Sequence, residues 1–573
     1  MTASAAVRRA GSAVWYNERM RKIAALLTLI AMLALTGLTG VPSASGMSGP
    51  ADASGSARAL SATYASDTPV APVTVGASDE VSAFEGLYSL ADAGDYDLFI
   101  NNVDGYALRV PKGLIVDMSY SSVRAVLEDN DTRIEIYKED VSRVGKATYI
   151  NYSNRFLSNK ADHRLLYSLT QVIGGKKVTA TAFTRDKLAK IENDKNHYLC
   201  LDIPIGKAVY TILIKTSQLI GELKDYAYLP RSLKLFTPTM PALDRRSKAF
   251  DIATRGWNDA AKAFYSAYFT PDAPLTWGIY EPSANWLDYK RVKKHEAEFG
   301  YVFPVQLQYT DFNLWYGEPD ISARLRSARN QGKTVELTLQ TNDAEDGGNM
   351  VYDILNGDHD AYLREYARMV ADFGGPVLFR LGNEMNGEWC PYSAHHTARD
   401  TEIYKALYRY VYAIFEEAGA DNVIWVWNPN GVSFPGFKWN HELMYYPGDE
   451  YVDIVGMTAY NTGTYYYASG ERWIEFDTLY DGLYGSYLAR YGQPLMITEF
   501  ACSGMGGDKE AWVAGMFEHI RRYDRIKIAV WWDGKDLDKN GDVSRSYVID
   551  DPPELTELFR RYLTELKRVK AAP

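Results

Sequence analysis

Two glutamates stand directly after apolar runs in the second half of the chain, and their positions indicate acid–base and nucleophilic chemistry. Glu384 follows the run Val377–Leu381, and Glu499 follows Leu495–Thr498. A carboxylate at the end of a buried strand costs free energy unless it is paired, so it is rarely there for structure alone. Two carboxyl groups about 5–5.5 Å apart are what retaining glycoside hydrolysis requires. The pattern therefore predicts that Glu384 and Glu499 form a catalytic pair of this kind.

Polar side chains near these glutamates are predicted to support them. Arg380 has the same strand parity as Glu384 and should point inward, where its guanidinium would hold a carboxylate. The phenol of Tyr460, at the end of the preceding run, could donate to Glu499 and favour its ionised form. Asn383 directly precedes Glu384. We expect all three to bind or position the substrate.

Three tryptophans are candidates for a sugar-binding floor. Trp389 follows Glu384 by five positions, and Trp531 and Trp532 end the last apolar run. Flat rings suit the faces of sugars and the packing of a core equally well, so core packing is the alternative for each of them. Because side chains alternate along a strand, one member of the Trp531/Trp532 pair should face inward and the other outward.

Eight apolar runs would have to position these residues. They alternate with amphipathic stretches of helical pattern, which is typical of a (β/α)8 barrel with its chemistry at the carboxyl ends of the strands. The distance along the chain between the two glutamates fits three strand–helix units of about 31–38 residues each. The eight runs are Leu275–Tyr280, Val302–Tyr309, Thr334–Gln340, Val377–Leu381, Val423–Trp427, Val452–Ala459, Leu495–Thr498 and Ile526–Trp532. The alternative, a doubly wound open sheet, is disfavoured by the count of eight and by the lack of a Gly-rich phosphate loop after the first run.

A smaller module should precede the barrel. Residues 81–217 alternate in the manner of antiparallel strands, with hairpins formed by 123–127 with 133–137 and by 198–203 with 209–214, and a helix over Arg185–Ile191. Residues 218–271 are interpreted as a bridging arm and 272–570 as the barrel. The predicted fold class is thus α/β, a (β/α)8 TIM barrel preceded by a smaller α+β antiparallel-sheet module.

The N-terminus has the pattern of an export signal. Arg21 and Lys22 precede the apolar run Ile23–Leu38, and small residues follow as far as Gly46. We predict a signal peptide over 1–46, with Met20 as an alternative start of translation, and a flexible linker over 47–80. A retained membrane anchor is the alternative, although the run is short for a span of about 20 residues. The predicted location is secreted or cell-surface, with no membrane span after cleavage.

The composition limits the classes of molecule that this protein is expected to bind. The net charge is −11 at pH 7 and no Lys/Arg-rich run is present, which disfavours nucleic acid. A polysaccharide is the expected partner, and no cofactor is expected. Three cysteines, Cys200, Cys390 and Cys502, cannot form a disulfide framework, and their spacing leaves open whether Cys390 and Cys502 pair. Oligomeric state is open as well.

A weak calcium motif follows the last run. Asp536, Asp538, Asn540 and Asp542 match the first half of an EF-hand loop, but Tyr547 stands where the loop requires a glutamate. An ordinary turn is the alternative, and we otherwise predict no metal site.

The motifs around the glutamates resemble glycoside hydrolase family 26, the β-mannanase family of clan A. The resemblance covers about 300 residues of the barrel, and its most specific part is the motif after the fourth run. It is carried by Trp277-Gly-Ile-Tyr-Glu-Pro282, Arg380, Asn383-Glu384-Met-Asn-Gly387 with Trp389, Thr458-Ala-Tyr-Asn461 and Ile497-Thr-Glu-Phe500. It implies a retaining double displacement in which Glu384 protonates the leaving oxygen and Glu499 attacks the anomeric carbon. It also implies that Tyr460 contacts the nucleophile and that Trp389 lies at the cleavage subsite.

One position departs from the family pattern. The family's mannanases usually carry His before the acid/base Glu, whereas this chain has Asn383. Other clan A families use Asn there to bind the 2-hydroxyl, which is axial in mannose and equatorial in glucose and xylose. The resemblance therefore implies the cleavage chemistry without fixing the polysaccharide as mannan, glucan or xylan.

These observations favour an exported, retaining β-glycoside hydrolase, endo-acting on a polysaccharide. The alternative is a non-catalytic carbohydrate-binding or cell-surface protein on the same barrel, but a protein that only binds has no need of the Glu pair. A third possibility makes the N-terminal module the active part, as a partner-binding domain, although residues 81–217 show no cluster of convergent His, Asp or Glu.

Overall fold

The computed structural model describes residues 86–244, 250–251, 253, 255–312, 318–341 and 347–570. The predicted signal peptide over 1–46 and linker over 47–80 lie outside these residues. Among the helices that are described, none combines the length and apolar character needed to cross a membrane.

The N-terminal module consists of two antiparallel sheets. The first has four strands in the order β1-β2-β3-β11, and the second has seven in the order β4-β5-β6-β10-β9-β8-β7. Their bounds are β1 Tyr88–Asp92, β2 Tyr96–Asn101, β3 Tyr106–Pro111, β4 Ile115–Asp117, β5 Ala125–Glu128, β6 Thr132–Asp140, β7 Arg164–Ile173, β8 Lys176–Thr184, β9 His197–Ile205, β10 Ala208–Thr216 and β11 Lys234–Leu235. Its helices are α1 Lys146–Ser153, α2 Leu223–Tyr226 and α3 Tyr228–Ser232, and a 3-10 turn covers Arg155–Ser158.

Both predicted hairpins are present in the second sheet, since β5 pairs with β6 and β9 with β10, all antiparallel. The predicted helix over Arg185–Ile191 is wrong, because tertiary contacts hold this segment in an irregular path. The buried Arg185 forms two hydrogen bonds of 2.6 Å with Asp194, and Lys190 N donates to Leu355 O of the barrel. The predicted bridging arm begins inside the module, because β11 pairs with β3.

The C-terminal half is a closed barrel of eight parallel strands, as the sequence predicts, in the order β12 to β19. The strands are β12 Thr276–Tyr280, β13 Val305–Asp311, β14 Thr334–Gln340, β15 Val377–Leu381, β16 Val423–Trp427, β17 Ile454–Thr458, β18 Leu495–Phe500 and β19 Ile526–Trp532. Inside the barrel lies an apolar core that includes Leu307, Leu378, Val426, Met496 and Val530. This packed core supports the residues at the carboxyl ends of the strands.

Helices surround the barrel, and side-chain caps fix several of their starts. Asn258, Asp320, Asp400 and Asp508 each accept a hydrogen bond from a backbone N–H in the first turn of the helix that follows. The helices are α4 Asp259–Tyr268, α5 Lys290–Phe299, α6 Ile321–Asn330, α7 Met350–Asn356, α8 Asp360–Phe373, α9 Thr401–Glu417, α10 Phe476–Arg490, α11 Lys509–Ile520 and α12 Leu555–Lys570. A short hairpin, β20 Lys535–Leu537 with β21 Val543–Ser546, follows the last barrel strand.

The module packs directly on the barrel. Its Tyr137, Tyr149 and Val209 belong to the same apolar cluster as residues of the barrel helices. A buried ion network also crosses the boundary, because Lys215 Nζ lies 2.9 Å from Glu135 Oε1 in the module and 2.6 Å from Asp400 Oδ1 at the start of α9. The two parts therefore share both apolar and ionic contacts.

The three cysteines are buried free thiols, so Cys390 and Cys502 are not paired.

Candidate active site

Glu499 is the second-last residue of β18, and two donors from other strands hold its carboxylate. Arg380 Nη2 donates to Glu499 Oε2 at 2.8 Å, and the phenol of Tyr309 donates to the same oxygen. Glu499 is 5% exposed, so its ion pair with Arg380 is largely shielded from solvent. Both of these donors use Oε2, so neither of them occupies Oε1.

Strand register explains why these groups meet. Thr338 on β14 pairs with Tyr309 on β13 and with Arg380 on β15, so the three residues occupy one level of the barrel. Arg380 is fully buried there and donates from Nε to Thr338 Oγ1 at 2.8 Å and from Nη1 to Asn428 Oδ1 at 2.9 Å. The predicted inward orientation of Arg380 agrees with this. The side chain touches Glu499, and it is too deeply buried to reach a sugar.

A further carboxyl lies inside the barrel below this level. Glu336, two positions before Thr338 on β14, is fully buried, and its Oε1 is 3.4 Å from Arg380 Nε. Burial is the main cause that raises the pKa of Glu336, to about 8, and Glu499 adds to it. Glu336 is therefore protonated at neutral pH, and the charge of Arg380 is directed mainly to Glu499.

Glu384 lies on the loop after β15 in an unusual backbone conformation. Its φ is 55°, in the left-handed region, and its N–H donates to Asn428 O at 2.7 Å. Asn428 thus accepts from the backbone of Glu384 and from the side chain of Arg380. This shared partner fixes the loop relative to the arginine that holds Glu499.

The environment of the Glu384 side chain differs from that of Glu499. Its Oε2 accepts a hydrogen bond of 3.0 Å from Trp389 Nε1, a neutral donor, and no ion pair is formed with it in the described part of the chain. Burial, followed by the charge of Glu499, raises the pKa of Glu384 to about 8. Glu384 therefore keeps its proton at neutral pH, as a general acid must.

Aromatic side chains line the cleft next to these carboxyls. Trp532 stacks on Tyr280 with ring centroids 5.1 Å apart, as expected from their pairing between β19 and β12. The half-buried Tyr460 contacts the edge of Trp532, with centroids 6.4 Å apart. Trp389 is 45% exposed, so part of its side chain is accessible to a ligand.

Trp531 needs a correction as a substrate-binding candidate. It is fully buried, packs against Phe500 and Phe559, and donates from Nε1 to Tyr547 O at 2.9 Å. Strand alternation turns it toward the helices and Trp532 toward the cleft. Of the pair, Trp532 is the one that can meet a sugar.

Tyr309 is the phenol that the sequence reasoning missed. The described hydrogen bonds to Glu499 come from Tyr309 and Arg380, and Tyr460 is not among their donors. Tyr309 closes the second apolar run, and inward parity at a strand end was the signal available in the sequence. Tyr460 faces the same cleft and is placed to meet a ligand.

Asn383 is oriented by two neighbours. Its side-chain oxygen accepts a hydrogen bond of 2.8 Å from Gln340 Nε2, and its backbone oxygen accepts one of 2.6 Å from Tyr392. With Oδ1 engaged, the amide Nδ2 becomes the group that can donate to a ligand. Gln340, at the end of β14, is a second residue that the sequence reasoning did not identify.

The weak calcium motif forms a turn in the structure. Asp538 accepts from the backbone N–H groups of Asn540 and Asp542 and from the phenol of Tyr465, while Asp536 pairs with Arg545 at 2.8 Å. These carboxylates are used by the hairpin β20–β21. Within the described residues they do not gather into a group of three ligand atoms suited to a cation.

Comparisons with known proteins agree with the barrel and its motifs. Residues 315–484 match the model of glycosyl hydrolase family 26. Endoglucanase H of Acetivibrio thermocellus is 35% identical over 218 residues, which cover 36% of this chain and 22% of that protein. A mannan endo-1,4-beta-mannosidase of Bacillus subtilis is 40% identical over 97 residues, which cover 16% of this chain and 25% of that protein. The chain thus spans about a quarter of the length of these relatives.

Among solved structures, a β-mannanase of family 26 from Bacteroides ovatus aligns with 54% of this chain and 92% of its own, at 18% identity and a TM-score of 0.41. The segment that the family model matches, residues 315–484, contains five of the predicted site residues, and Glu499 lies beyond it. The five are Arg380, Asn383, Glu384, Trp389 and Tyr460. The resemblance predicted from the motifs is confirmed: within the barrel, residues 315–484 match glycosyl hydrolase family 26.

Proposed function

We propose that this protein is an exported retaining β-glycoside hydrolase that cleaves a polysaccharide within its chain. The observation that carries the proposal is the unequal environment of two carboxyls, of which Glu499 acts electrostatically on Glu384. Glu499 is held by Arg380 and Tyr309, whereas Glu384 has a neutral donor and a raised pKa. Nucleophilic displacement needs the first state, and protonation of a leaving oxygen needs the second.

In the first step, the carboxylate of Glu499 attacks the anomeric carbon and forms a glycosyl ester. The bond from that carbon to the glycosidic oxygen breaks, and the proton of Glu384 passes to this oxygen. Arg380 stays bound to Glu499 Oε2, so the attack comes from the other oxygen, Oε1. In the second step, Glu384 takes a proton from water, the water oxygen attacks the anomeric carbon, and Glu499 is released as carboxylate.

Asn383 and the aromatic residues are the proposed substrate contacts. Asn383 Nδ2 would donate to the 2-hydroxyl of the sugar undergoing attack, because Gln340 occupies its oxygen. Trp389 and Trp532 are the rings that would stack on the sugar, and Tyr460 offers a hydroxyl. The ring of Tyr280 stacks on the ring of Trp532 and so helps to fix its orientation.

The relatives' names support an endo mode and a β-glucan or β-mannan substrate, since they include an endoglucanase and a mannan endo-1,4-beta-mannosidase. The amide at position 383 favours an equatorial 2-hydroxyl, so mixed-linkage glucan and xylan are the first substrates to try. The apolar run Ile23–Leu38 with its basic flank supports export.

The test is a hydrolysis screen on mannan, mixed-linkage glucan, xylan and bacterial exopolysaccharides, with Glu499→Ala purified in parallel as the control. We expect the wild type to release oligosaccharides of mixed length from at least one polymer and the variant to release none. Binding of a polymer without any cleavage by the wild type would support a non-catalytic carbohydrate-binding protein and contradict the proposal.

A further inference from the structure

The N-terminal module reaches the loop that carries Glu384. Helix α1 lies against the loops that follow the fourth and fifth barrel strands. Tyr149 and Tyr152 both contact the ring of Phe437, with centroids 4.8 Å and 6.1 Å apart, and Ser153 Oγ accepts a hydrogen bond of 3.0 Å from Trp439 Nε1. The helix is therefore in contact with the wall of the cleft on the Glu384 side.

One contact on this face joins the module to the residue next to Trp389. The phenol of Tyr152 donates to the carboxylate of Glu388. The guanidinium carbon of Arg155 lies 4.0 Å from the centre of the Tyr152 ring, and His395 packs 5.3 Å from that ring. Tyr152 is thus fixed from both the module and the barrel, so its hydroxyl is held in place.

Glu388 sits in the middle of a short, tightly bonded loop. Its backbone oxygen lies 2.6 Å from His396 Nε2, and its carboxylate is half-buried, so that burial raises its pKa. The next residue is Trp389, whose indole N–H donates to Glu384. Because Trp389 follows Glu388 directly, a shift of Glu388 displaces the indole N–H that donates to the Glu384 carboxyl.

We propose that Tyr152 of the N-terminal module is a positioning residue for Glu384, acting through Glu388 and Trp389. The module then affects catalysis in the barrel because it fixes the conformation of the loop that carries Glu384, residues 384–392. This inference rests on the proposed function, because it assigns Glu384 the role of acid.

The sign of the effect follows from the hydrogen bond between Trp389 and Glu384. An N–H donor stabilises the ionised form of a carboxyl, and this bond lowers the pKa of Glu384 against the opposing effects of burial and Glu499. If loss of the Tyr152 hydroxyl loosens the loop, the bond weakens and the pKa of Glu384 rises further. The alkaline limb of the pH–rate profile should then move to higher pH, while kcat falls because the acid is less well placed.

The experiment compares Tyr152→Phe with Tyr149→Phe in the full-length protein. Tyr149 is on the same helix, but its hydroxyl pairs with Thr211 Oγ1 inside the module, at 3.2 Å, so this variant loses a hydroxyl without touching the loop. For Tyr152→Phe we expect kcat to fall about three- to tenfold, the loss of one hydrogen bond, with little change in KM. We also expect an upward shift of the alkaline limb, and Tyr149→Phe should show neither change.

A second measurement does not depend on activity. Hydrogen exchange of the peptide covering 384–392 should be faster in Tyr152→Phe than in wild type, and unchanged in Tyr149→Phe. Glu388→Leu, which has no acceptor for the phenol, should reproduce the Tyr152→Phe phenotype, and the double variant should be no worse than either single one.

Equal pH profiles and equal exchange in the two tyrosine variants would overturn the positioning role. If no substrate is cleaved by the wild type, the proposed function fails, and the exchange measurement still decides whether Tyr152 holds the loop.

Discussion

Two sets of buried carboxyls in this molecule have opposite surroundings. At the contact between module and barrel, Glu135 is fully buried and bonded to Arg124, Arg133 and Lys215 at 2.7–2.9 Å. In the cleft, Glu384 has a neutral donor and faces a second carboxyl. Against the same penalty of burial, the three cations hold the pKa of Glu135 well below its usual range, whereas the pKa of Glu384 rises to about 8.

Burial of a carboxyl is therefore a poor marker of chemistry by itself. A carboxylate surrounded by cations has a structural role, because fixed ion pairs neutralise its charge and hold it ionised. A buried carboxyl next to another carboxyl, with few donors of its own, keeps a proton that it can transfer. Glu499, with one cation and one phenol on a single oxygen, lies between these two cases and suits a nucleophile.

The largest expected effect is that of Glu499→Ala. Removal of the proposed nucleophile should lower kcat by more than about 10⁴-fold, as when one member of a catalytic unit is removed elsewhere. Sodium azide should partly restore turnover, since the small anion can occupy the space left by the side chain. The product should then be the glycosyl azide of inverted configuration, which proton NMR can identify. Wild-type turnover in this variant would show that Glu499 is not the nucleophile.

Glu384→Gln should have the next largest effect, and its size should depend on the leaving group. Acid catalysis contributes about 10²–10⁴-fold when the leaving alcohol is poor, so polysaccharide hydrolysis should slow by that factor. Formation of the glycosyl ester from an activated aryl glycoside needs no proton and should be nearly unaffected. In the wild type, the rate should fall as the pH rises through about 8, where Glu384 loses its proton. Equal losses on both kinds of substrate would contradict the acid/base assignment.

Stability should change in opposite directions at the two carboxyls. Glu135→Gln removes the buried anion shared by Arg124, Arg133 and Lys215. Their other partners, Glu128, Glu402 and Asp400, remain, so the free energy of unfolding should fall by at most about 3–5 kcal/mol. Because its folded pKa is depressed, this loss should be full above the ordinary pKa of about 4.3 and shrink as the pH falls below it. Its kcat should be unchanged in whatever fraction is folded.

Glu384→Gln should stabilise the fold at neutral pH. A raised pKa in the folded state means that wild-type stability falls with pH between the ordinary pKa, about 4.3, and the folded value. The variant lacks this loss, so the two proteins should melt alike at pH 4 and differ at pH 7. Thermal unfolding at both pH values measures this, and a destabilised Glu384→Gln variant at pH 7 would remove the contrast between the two carboxyls.

Among the variants at residues proposed to act on the substrate, Asn383→Ala has the smallest expected effect. If its amide donates to the 2-hydroxyl, kcat should fall about tenfold with little change in KM, since one hydrogen bond is lost mainly in the transition state. The same substitution should matter far less for a 2-deoxy substrate. Equal losses on the matched pair would assign Asn383 a purely structural role, and a wild-type preference for mannan over glucan and xylan would contradict the specificity argument.

The sequence predicts the barrel well because its strands are short apolar runs at regular spacing, and five-residue runs such as Val377–Leu381 and Val423–Trp427 match the observed strands residue for residue. It predicts that Arg380 points inward, where it could hold a carboxylate, because strand parity alone turns the side chain that way, but it does not identify Glu499 as that carboxylate. It does not predict Tyr309, since the phenol beside Glu499 depends on the level at which two distant strands meet.

The module is harder to read from its sequence. The segment after Arg185 has helical propensity, yet the salt bridge to Asp194 and the contact with Leu355 hold it irregular. Tyr152 carries no signal at all in the sequence, because its partner Glu388 lies 236 residues away and the two meet only when module and barrel dock.

The most direct test of the account is to trap the intermediate on Glu499. The wild-type protein is incubated with dinitrophenyl 2-deoxy-2-fluoro glycosides of the gluco and manno series, and its peptides are analysed by mass spectrometry. The account predicts one added glycosyl unit on the peptide containing Glu499, in the wild type and in Glu384→Gln and never in Glu499→Ala. A label on Glu384, or no label on a protein that cleaves the parent glycoside, would contradict it.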